Sequence, residues 1–255
     1  MSGPQAAFSE LARTGGRGAL VTLLRGGTPG AKLFVGADRE TLGSLGMPDL
    51  DAAALGLAEE LMWSERSERR TLGDAVLFVD TTFPAPRLIA FGAVDYADSL
   101  CRIARTVGWR PYVVDPRARF AQPARFPDAE EVIAAWPEEA FAQLGGIDRA
   151  TSIVVLTHDP KLDDAALLLA LRSDAGYIGA MGSRRAQASR RERLIAQGVS
   201  EEELGRIAAP IGLDLGALTA EETALSIMAE VVAVKHGHSG GRLAHTRGRI
   251  HEVGV

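Results

Sequence analysis

Arg87-Leu88-Ile89-Ala90-Phe91-Gly92-Ala93-Val94-Asp95 is the stretch from which the fold can be read. Its first five residues form an apolar run suited to a buried strand, and Gly92 to Asp95 form the turn that leaves it. The spacing then predicts a helix from Tyr96 to Val107, with Ala97, Leu100, Cys101 and Ala104 inward and Gly108 closing it. Tyr112-Val113-Val114-Asp115 reads as a second strand. A strand, an amphipathic helix and another strand in succession are the unit of a parallel sheet with crossover helices.

The same alternation continues toward the C-terminus. Pro123 to Trp136 reads as a proline-containing connection with Phe126, Val132 and Trp136 packed beneath the sheet edge. Ser152 to Leu156 is a third strand, followed by a helix that begins at Pro160 with Asp159 suited to cap it. Tyr177-Ile178-Gly179-Ala180-Met181-Gly182-Ser183-Arg184-Arg185 reads as a short strand, a glycine turn and the start of a basic helix that runs to Ala196. Gly198 ends that helix. Ser200 with Glu203, and Thr219 with Glu222, have capping-box spacing, the second opening an apolar helix from Ala220 to Lys235. On that helix Ser226 and Glu230 lie one turn apart, which suits surface or interhelix hydrogen bonding rather than catalysis.

Working back toward the N-terminus, the grammar differs. Ala19–Leu24, Lys32–Val35 and Ala75–Val79 read as strands, and Leu42 to Gly46 as a glycine-punctuated turn. Leu50 to Trp63 reads as a helix capped by Asp49, and Glu65 to Arg70 as its solvated end. The prolines between Thr81 and Pro86 mark a linker. The expectation is an α/β protein: a smaller N-terminal α+β domain over residues 1–83, a Rossmann-type parallel sheet over 87–236, and a flexible tail over 237–255.

Composition removes several functional classes. A net charge of −5, with 33 acidic against 28 basic residues, argues against a nucleic-acid binder. The single cysteine allows neither an intramolecular disulfide nor a cysteine-rich zinc site. His236, His238, His245 and His251 lie in a Gly/Arg-rich tail without supporting ligands, so no metal site is expected. The first ten residues lack a signal-like pattern and no apolar run approaches the ~20 residues needed to cross a bilayer, so a cytoplasmic protein without a membrane partner is expected.

Ligands of open α/β sheets bind outside the carboxyl ends of the strands, which selects the candidate residues. Gly92, Ala93 and Asp95 follow the first strand, Asp115 and Arg117 the second, Thr157, His158 and Asp159 the third, and Gly179, Gly182, Ser183, Arg184 and Arg185 belong to the fourth strand and its turn. Asp115 stands where a nucleotide-binding unit places its ribose carboxylate, or alternatively pairs with Arg117. Val94, in place of the second fingerprint glycine, weakens a dinucleotide reading. His158 and Asp159 are the candidate catalytic pair, Asp159 being equally suited to a cap. The glycines and guanidinium groups at 182–185, at a helix N-terminus, suit an anion.

Several of these blocks carry a resemblance together: Val114-Asp115-Pro116-Arg117, Arg125-Phe126-Pro127, Thr157-His158-Asp159, Tyr177 to Arg185, Ala209-Pro210 through Asp214, and the helix with Ser226-Ile227 and Glu230. In this order, from about Arg87 to Lys235, they resemble the XdhC/CoxI family. The resemblance implies a small N-terminal domain before a Rossmann-type domain. It also implies an accessory factor that binds molybdenum cofactor, a pterin, assists its sulfuration and delivers it to a molybdenum hydroxylase of the xanthine dehydrogenase or CO dehydrogenase type. The expected partners are that client, a sulfurtransferase and a second copy in a homodimer. Typical relatives carry Ser-Pro-Arg and a glycine-rich block ending in cysteine; here Thr28-Pro29-Gly30 and Gly43 to Pro48 stand instead, with no cysteine. An NAD(P)-dependent oxidoreductase built on the same half, with His158 relaying a proton, is the alternative.

Overall fold

The computed structural model describes residues 3–246, which fall into two compact units, 3–84 and 85–246. Of the tail, residues 247–255, His251 among them, lie outside the described residues.

The first unit consists of α1 (Pro4–Arg13), β1 (Gly18–Arg25), β2 (Lys32–Gly36), β3 (Thr41–Ser44), α2 (Pro48–Trp63), β4 (Glu68–Leu72) and β5 (Ala75–Thr82). Its strands form an antiparallel sheet of order β3-β2-β1-β5-β4. Ala54, Leu57, Ala58 and Leu61 of α2 recur at three- and four-residue steps and close over Ala19, Val21, Leu23, Leu77 and Val79. Three local expectations are corrected here. Thr41 to Ser44 is an edge strand, not a turn; Gly43 sits at φ +91° where a Cβ would strike the Lys32 carbonyl, so the glycine serves a close strand approach. Asp49 does not cap α2, whose N-cap is Met47. Asp51 instead turns back to accept from the Leu45 amide at 2.7 Å and the Ser44 hydroxyl at 2.6 Å. The charged run after Trp63 is not a helix end: Glu65 turns at φ +57° and the chain enters β4, where Glu68 is buried between Arg66 and Arg70.

The second unit comprises β6 (Arg87–Phe91), α3 (Asp95–Thr106), β7 (Arg110–Val114), β8 (Glu131–Ile133), α4 (Pro137–Leu144), β9 (Thr151–Val155), α5 (Pro160–Leu171), β10 (Tyr177–Ala180), α6 (Arg184–Ala196), α7 (Glu201–Leu204), β11 (Ile207–Ala208) and α8 (Ala220–Lys235). All six strands are parallel and ordered β8-β7-β6-β9-β10-β11. This is the Rossmann order, with its switch point between β6 and β9.

Alternation along the strands builds two cores. Ile89, Phe91, Val114, Ile153 and Ile178 point to one face, covered by Leu162, Ala166, Leu167 and Ala170 of α5 with Ala140 and Leu194. Leu88, Ala90, Val113 and Val154 point to the other, covered by Ala97, Leu100, Cys101 and Ala104 of α3 and Ala224, Ile227, Met228 and Val231 of α8. Both helices present the same i, i+3, i+4, i+7 stripe, and the alanines let their backbones approach. Phe126 is buried as expected, but Trp136 is 46% exposed, because the connection contains the short strand β8 and Trp136 falls just beyond it, as the N-cap of α4.

Candidate functional site

The carboxyl ends of β6, β7, β9 and β10 bring most of the candidate residues to one edge of the sheet. At the switch point Gly92 has φ +117°, and a Cβ there would collide with the Thr157 methyl group. Its amide donates to the Val114 carbonyl at 2.8 Å, so the loops after β6, β7 and β9 meet around one glycine.

Asp115, with no exposed surface, accepts four hydrogen bonds. One oxygen takes the Arg117 amide at 2.9 Å and Nε at 2.8 Å, and the other takes the Ala93 amide at 2.9 Å and Arg117 Nη2 at 2.7 Å. Burial alone would raise this carboxyl, but the Arg117 guanidinium and the two amides override it and hold it below the usual carboxylate range. The geometry is therefore that of the Asp115–Arg117 pair. Arg117 lies over the Phe120 ring at 4.6 Å and also feels the charge of Asp159 from the β9 loop.

Arg125 secures the other side of the β6 loop. Its Nη1 donates to the carbonyls of Ala93 at 3.1 Å and Phe120 at 3.0 Å, while Nη2 reaches Asp95 at 3.3 Å. The N-terminus of α3, where a Rossmann pyrophosphate would rest, thus has its Ala93 amide engaged and carries Asp95 and Asp98 in its first turn. Asp95 is exposed to solvent there.

After β9, Asp159 caps α5 through the Lys161 amide at 3.0 Å, with Pro160 in the first turn. His158 is exposed beside it. The Thr157 hydroxyl turns inward and donates to Asp163, which also pairs with Arg190 at 2.9 Å. Asp163 and Arg190 are 1% and 4% exposed.

The loop after β10 is held from within. Gln187 Nε2 donates to the carbonyls of Ala180 at 3.2 Å and Gly182 at 3.3 Å, and both Nη atoms of Arg190 donate to Met181 O at 3.1 Å. The Met181 amide bonds Val155 O, but among the described residues the amides of Gly182, Ser183, Arg184 and Arg185 have no acceptor. Ser183 caps α6 by accepting from the Ala186 amide at 3.2 Å. Further along α6, Arg191 pairs with Glu201 and Arg193 with Asp164, whereas Arg184 and Arg185 are exposed and form no ion pair among the described residues. Amides without an acceptor and guanidinium groups without an ion pair can together receive an anion.

Gly179 is not part of this loop. It lies inside β10, paired with Ala208, and a Cβ on it would enter the Ile211 side chain. The turn from Ala209 to Asp214 is moored by α8: Glu230 accepts from the Tyr177 hydroxyl and from the Gly212 amide at 2.8 Å, and the Ser226 hydroxyl donates to Leu213 O. Ser226 and Glu230 thus serve as hydrogen-bonding residues, but each holds the turn or the strand separately and they do not bond to each other. Burial, with the bond to Glu230 second, pushes the Tyr177 hydroxyl far above its ordinary pKa.

Sequence reasoning gave no site role to Asp163, Gln187 and Arg190, or to Arg125 beyond its place in the Arg125-Phe126-Pro127 block. Gln187 and Arg190 carried a signal: with Leu194 they fall at i, i+3 and i+7, and Leu194 is a core residue. Among the described residues no group of three or more His, Cys, Asp or Glu could hold a metal, and no helix is long and apolar enough to cross a membrane. In the first unit a separate recess of about 710 Å³ is lined by Gly26, Gly46, Met47, Pro48, Leu50 and Leu72, among others.

The XdhC Rossmann domain profile matches residues 88–231, and that of the XdhC and CoxI family matches residues 11–73. The chain belongs to the XdhC and CoxI family. It is 29% identical over 159 residues to a probable xanthine dehydrogenase subunit of Bacillus subtilis (strain 168), covering 62% of this chain and 46% of that one. It is 30% identical over 152 residues to the molybdenum cofactor insertion chaperone PaoD of Escherichia coli (strain K12), covering 60% and 41%. This XdhC-type chain therefore spans less than half the length of these curated relatives. A crystal structure of a xanthine dehydrogenase from Bacillus halodurans superposes with a TM-score of 0.64 at 24% identity, over 91% of this chain and 66% of that one, which shows a shared fold.

Proposed function

We propose that this protein is an accessory factor that binds molybdenum cofactor and passes it to a molybdenum hydroxylase of the xanthine dehydrogenase or CO dehydrogenase type. The phosphate of the pterin is seated on the loop from Gly182 to Arg185. The observation that carries this reading is the set of four amides without an acceptor, beside two guanidinium groups without an ion pair among the described residues, at the carboxyl edge of the sheet. Phosphate is a doubly charged acceptor of the kind such a seat recognises. The family and the name of the E. coli relative supply the cofactor. His158, exposed at the neighbouring strand end, is suited to contact the pterin or relay a proton. A sulfurtransferase partner, on the family resemblance, and the pairing of two copies, common among cofactor-handling proteins of this size, complete the reading.

The test is anaerobic mixing of purified protein with molybdenum cofactor followed by gel filtration. Retention at micromolar concentration is expected, with loss of at least tenfold in affinity in the Arg184→Ala/Arg185→Ala variant. A wild-type protein that retains nothing overturns the reading.

The Rossmann strand order favours a second reading, NAD(P) bound at the switch point. It has less support, because Asp115 is saturated by Arg117 and two amides and the first turn of α3 is acidic. Fluorescence titration with NADH and NADPH separates the two readings; saturable binding of either would favour the second.

A further inference from the structure

We propose that Arg190 and Asp163 are positioning residues that turn the amides of the Gly182 loop outward, a role that rests on that loop being the cofactor seat. Removing two opposite charges from water is costly, and a buried pair of this kind is often no more stabilising than an apolar pair of the same volume. The consequence of the pair lies in the geometry it imposes.

That geometry can be followed atom by atom. Nη1 and Nη2 of Arg190 both hold Met181 O at 3.1 Å, and Nη2 also holds Asp163 Oδ2 at 2.9 Å. The other Asp163 oxygen accepts from Thr157, so the guanidinium is fixed against the end of β9 as well as β10. A trans peptide is planar, so a Met181 carbonyl drawn inward sets the Gly182 N–H outward. Gly182, at φ +137°, has no side chain to impose this orientation on itself. Gln187 supports the arrangement: it accepts from Arg190 Nη1 at 2.5 Å and donates to the carbonyls on either side of Met181. Arg190 Nε is buried without a partner among the described residues, so the guanidinium is oriented for the carbonyl and carboxylate at the expense of its own full satisfaction.

The experiment is a titration of the ¹⁵N-labelled full-length chain with inorganic phosphate, read at the amides of Gly182, Ser183, Arg184 and Arg185. In the wild type these four signals are expected to move together and saturate. The Asp163→Leu/Arg190→Met variant removes both charges of the pair together; its melting temperature is expected to stay within a few degrees of wild type while phosphate affinity falls at least tenfold. Arg190→Lys, which keeps a donor near Met181 O, is expected to recover part of that affinity. Should the double variant not fold, Gln187→Met decides, with a several-fold loss expected at unchanged melting temperature. Wild-type amides that ignore phosphate, or folded variants that bind it as tightly as wild type, overturn the proposal. If the amides respond and the variants weaken that response but molybdenum cofactor is not retained, the cofactor reading fails and what stands is the positioning of the amides for an anion; if the folded double variant retains the cofactor as wild type does, the positioning role fails alone.

Discussion

At Gly92 the lack of a side chain sets the spacing between two loops. Both its φ of +117° and the Thr157 methyl group exclude a Cβ. Gly92→Ala is expected to destabilise the protein by about 2–3 kcal/mol, from strain in the chain and displacement of the β9 loop. Urea unfolding followed by circular dichroism measures it. Asp115 works by charge. Asp115→Asn leaves Arg117 without its carboxylate, and since Arg117 is partly open to solvent the cost is expected to be about 2 kcal/mol rather than that of a fully buried pair. The sign of the pH effect follows from the lowered carboxyl. Its contribution to stability is complete above the ordinary carboxylate value, roughly 3.9, and is lost as pH falls below that through the native value. Stability of the wild type should therefore fall more steeply below about pH 4 than that of Asp115→Asn. Cys101 is inert by contrast: burial first, then the nearby Asp98 and Asp128, push its thiol up to about 12. A thiol reagent at pH 8 should label it only after unfolding, and rapid labelling of the native protein would contradict that placement.

Among the elements, those with a strong period and a marked end were legible from sequence. The stripe of α3, the span of α8, the cap at Asp159 and the boxes at Ser200 and Thr219 all occur where their spacing places them. Thr219→Ala should cost about 1 kcal/mol through loss of the α8 cap. Ala104→Leu, between α3 and α8, should cost about 1–3 kcal/mol by overpacking. Both are read from thermal melts. Elements whose residues carry two meanings were not legible. Gly43 signals a turn by composition yet sits in an edge strand, and Glu68 looks solvated among arginines yet is buried by pairing with two of them. The candidate site divides in the same way. The loop after β10 was visible as glycine and arginine, but the roles of Gln187 and Arg190 were hidden in a helix that reads as uniformly basic, because burial of a charge depends on a partner, Asp163, 27 positions away. Gly179 looks like a further cofactor contact in sequence, because a glycine that lets a side chain pack on a strand and one that bares an amide are the same letter.

For the whole molecule, the cores of residues 85–246 share no residue with the core of the first unit, which predicts that this segment is a folding unit. Expressed alone, this segment should unfold cooperatively in urea; a broad, non-cooperative transition would contradict the division. The net charge of −5 also matters at this scale. The protein as a whole repels anions, and beyond about 10 Å at 0.1 M salt the attraction of Arg184 and Arg185 is screened. Recognition at the loop must then come from short-range hydrogen bonds.

The inward-facing carbonyls of Ala180, Met181 and Gly182 bear on how such a seat can change over time. A surface made of main-chain amides is indifferent to the identity of the residues that supply them. At Met181 the seat uses only the carbonyl, so a substitution of similar volume there can leave its shape unchanged. Its heritable determinants sit at Gln187 and Arg190, one to two helical turns further on, so a loop that looks degenerate and a helix that looks merely charged must be inherited together.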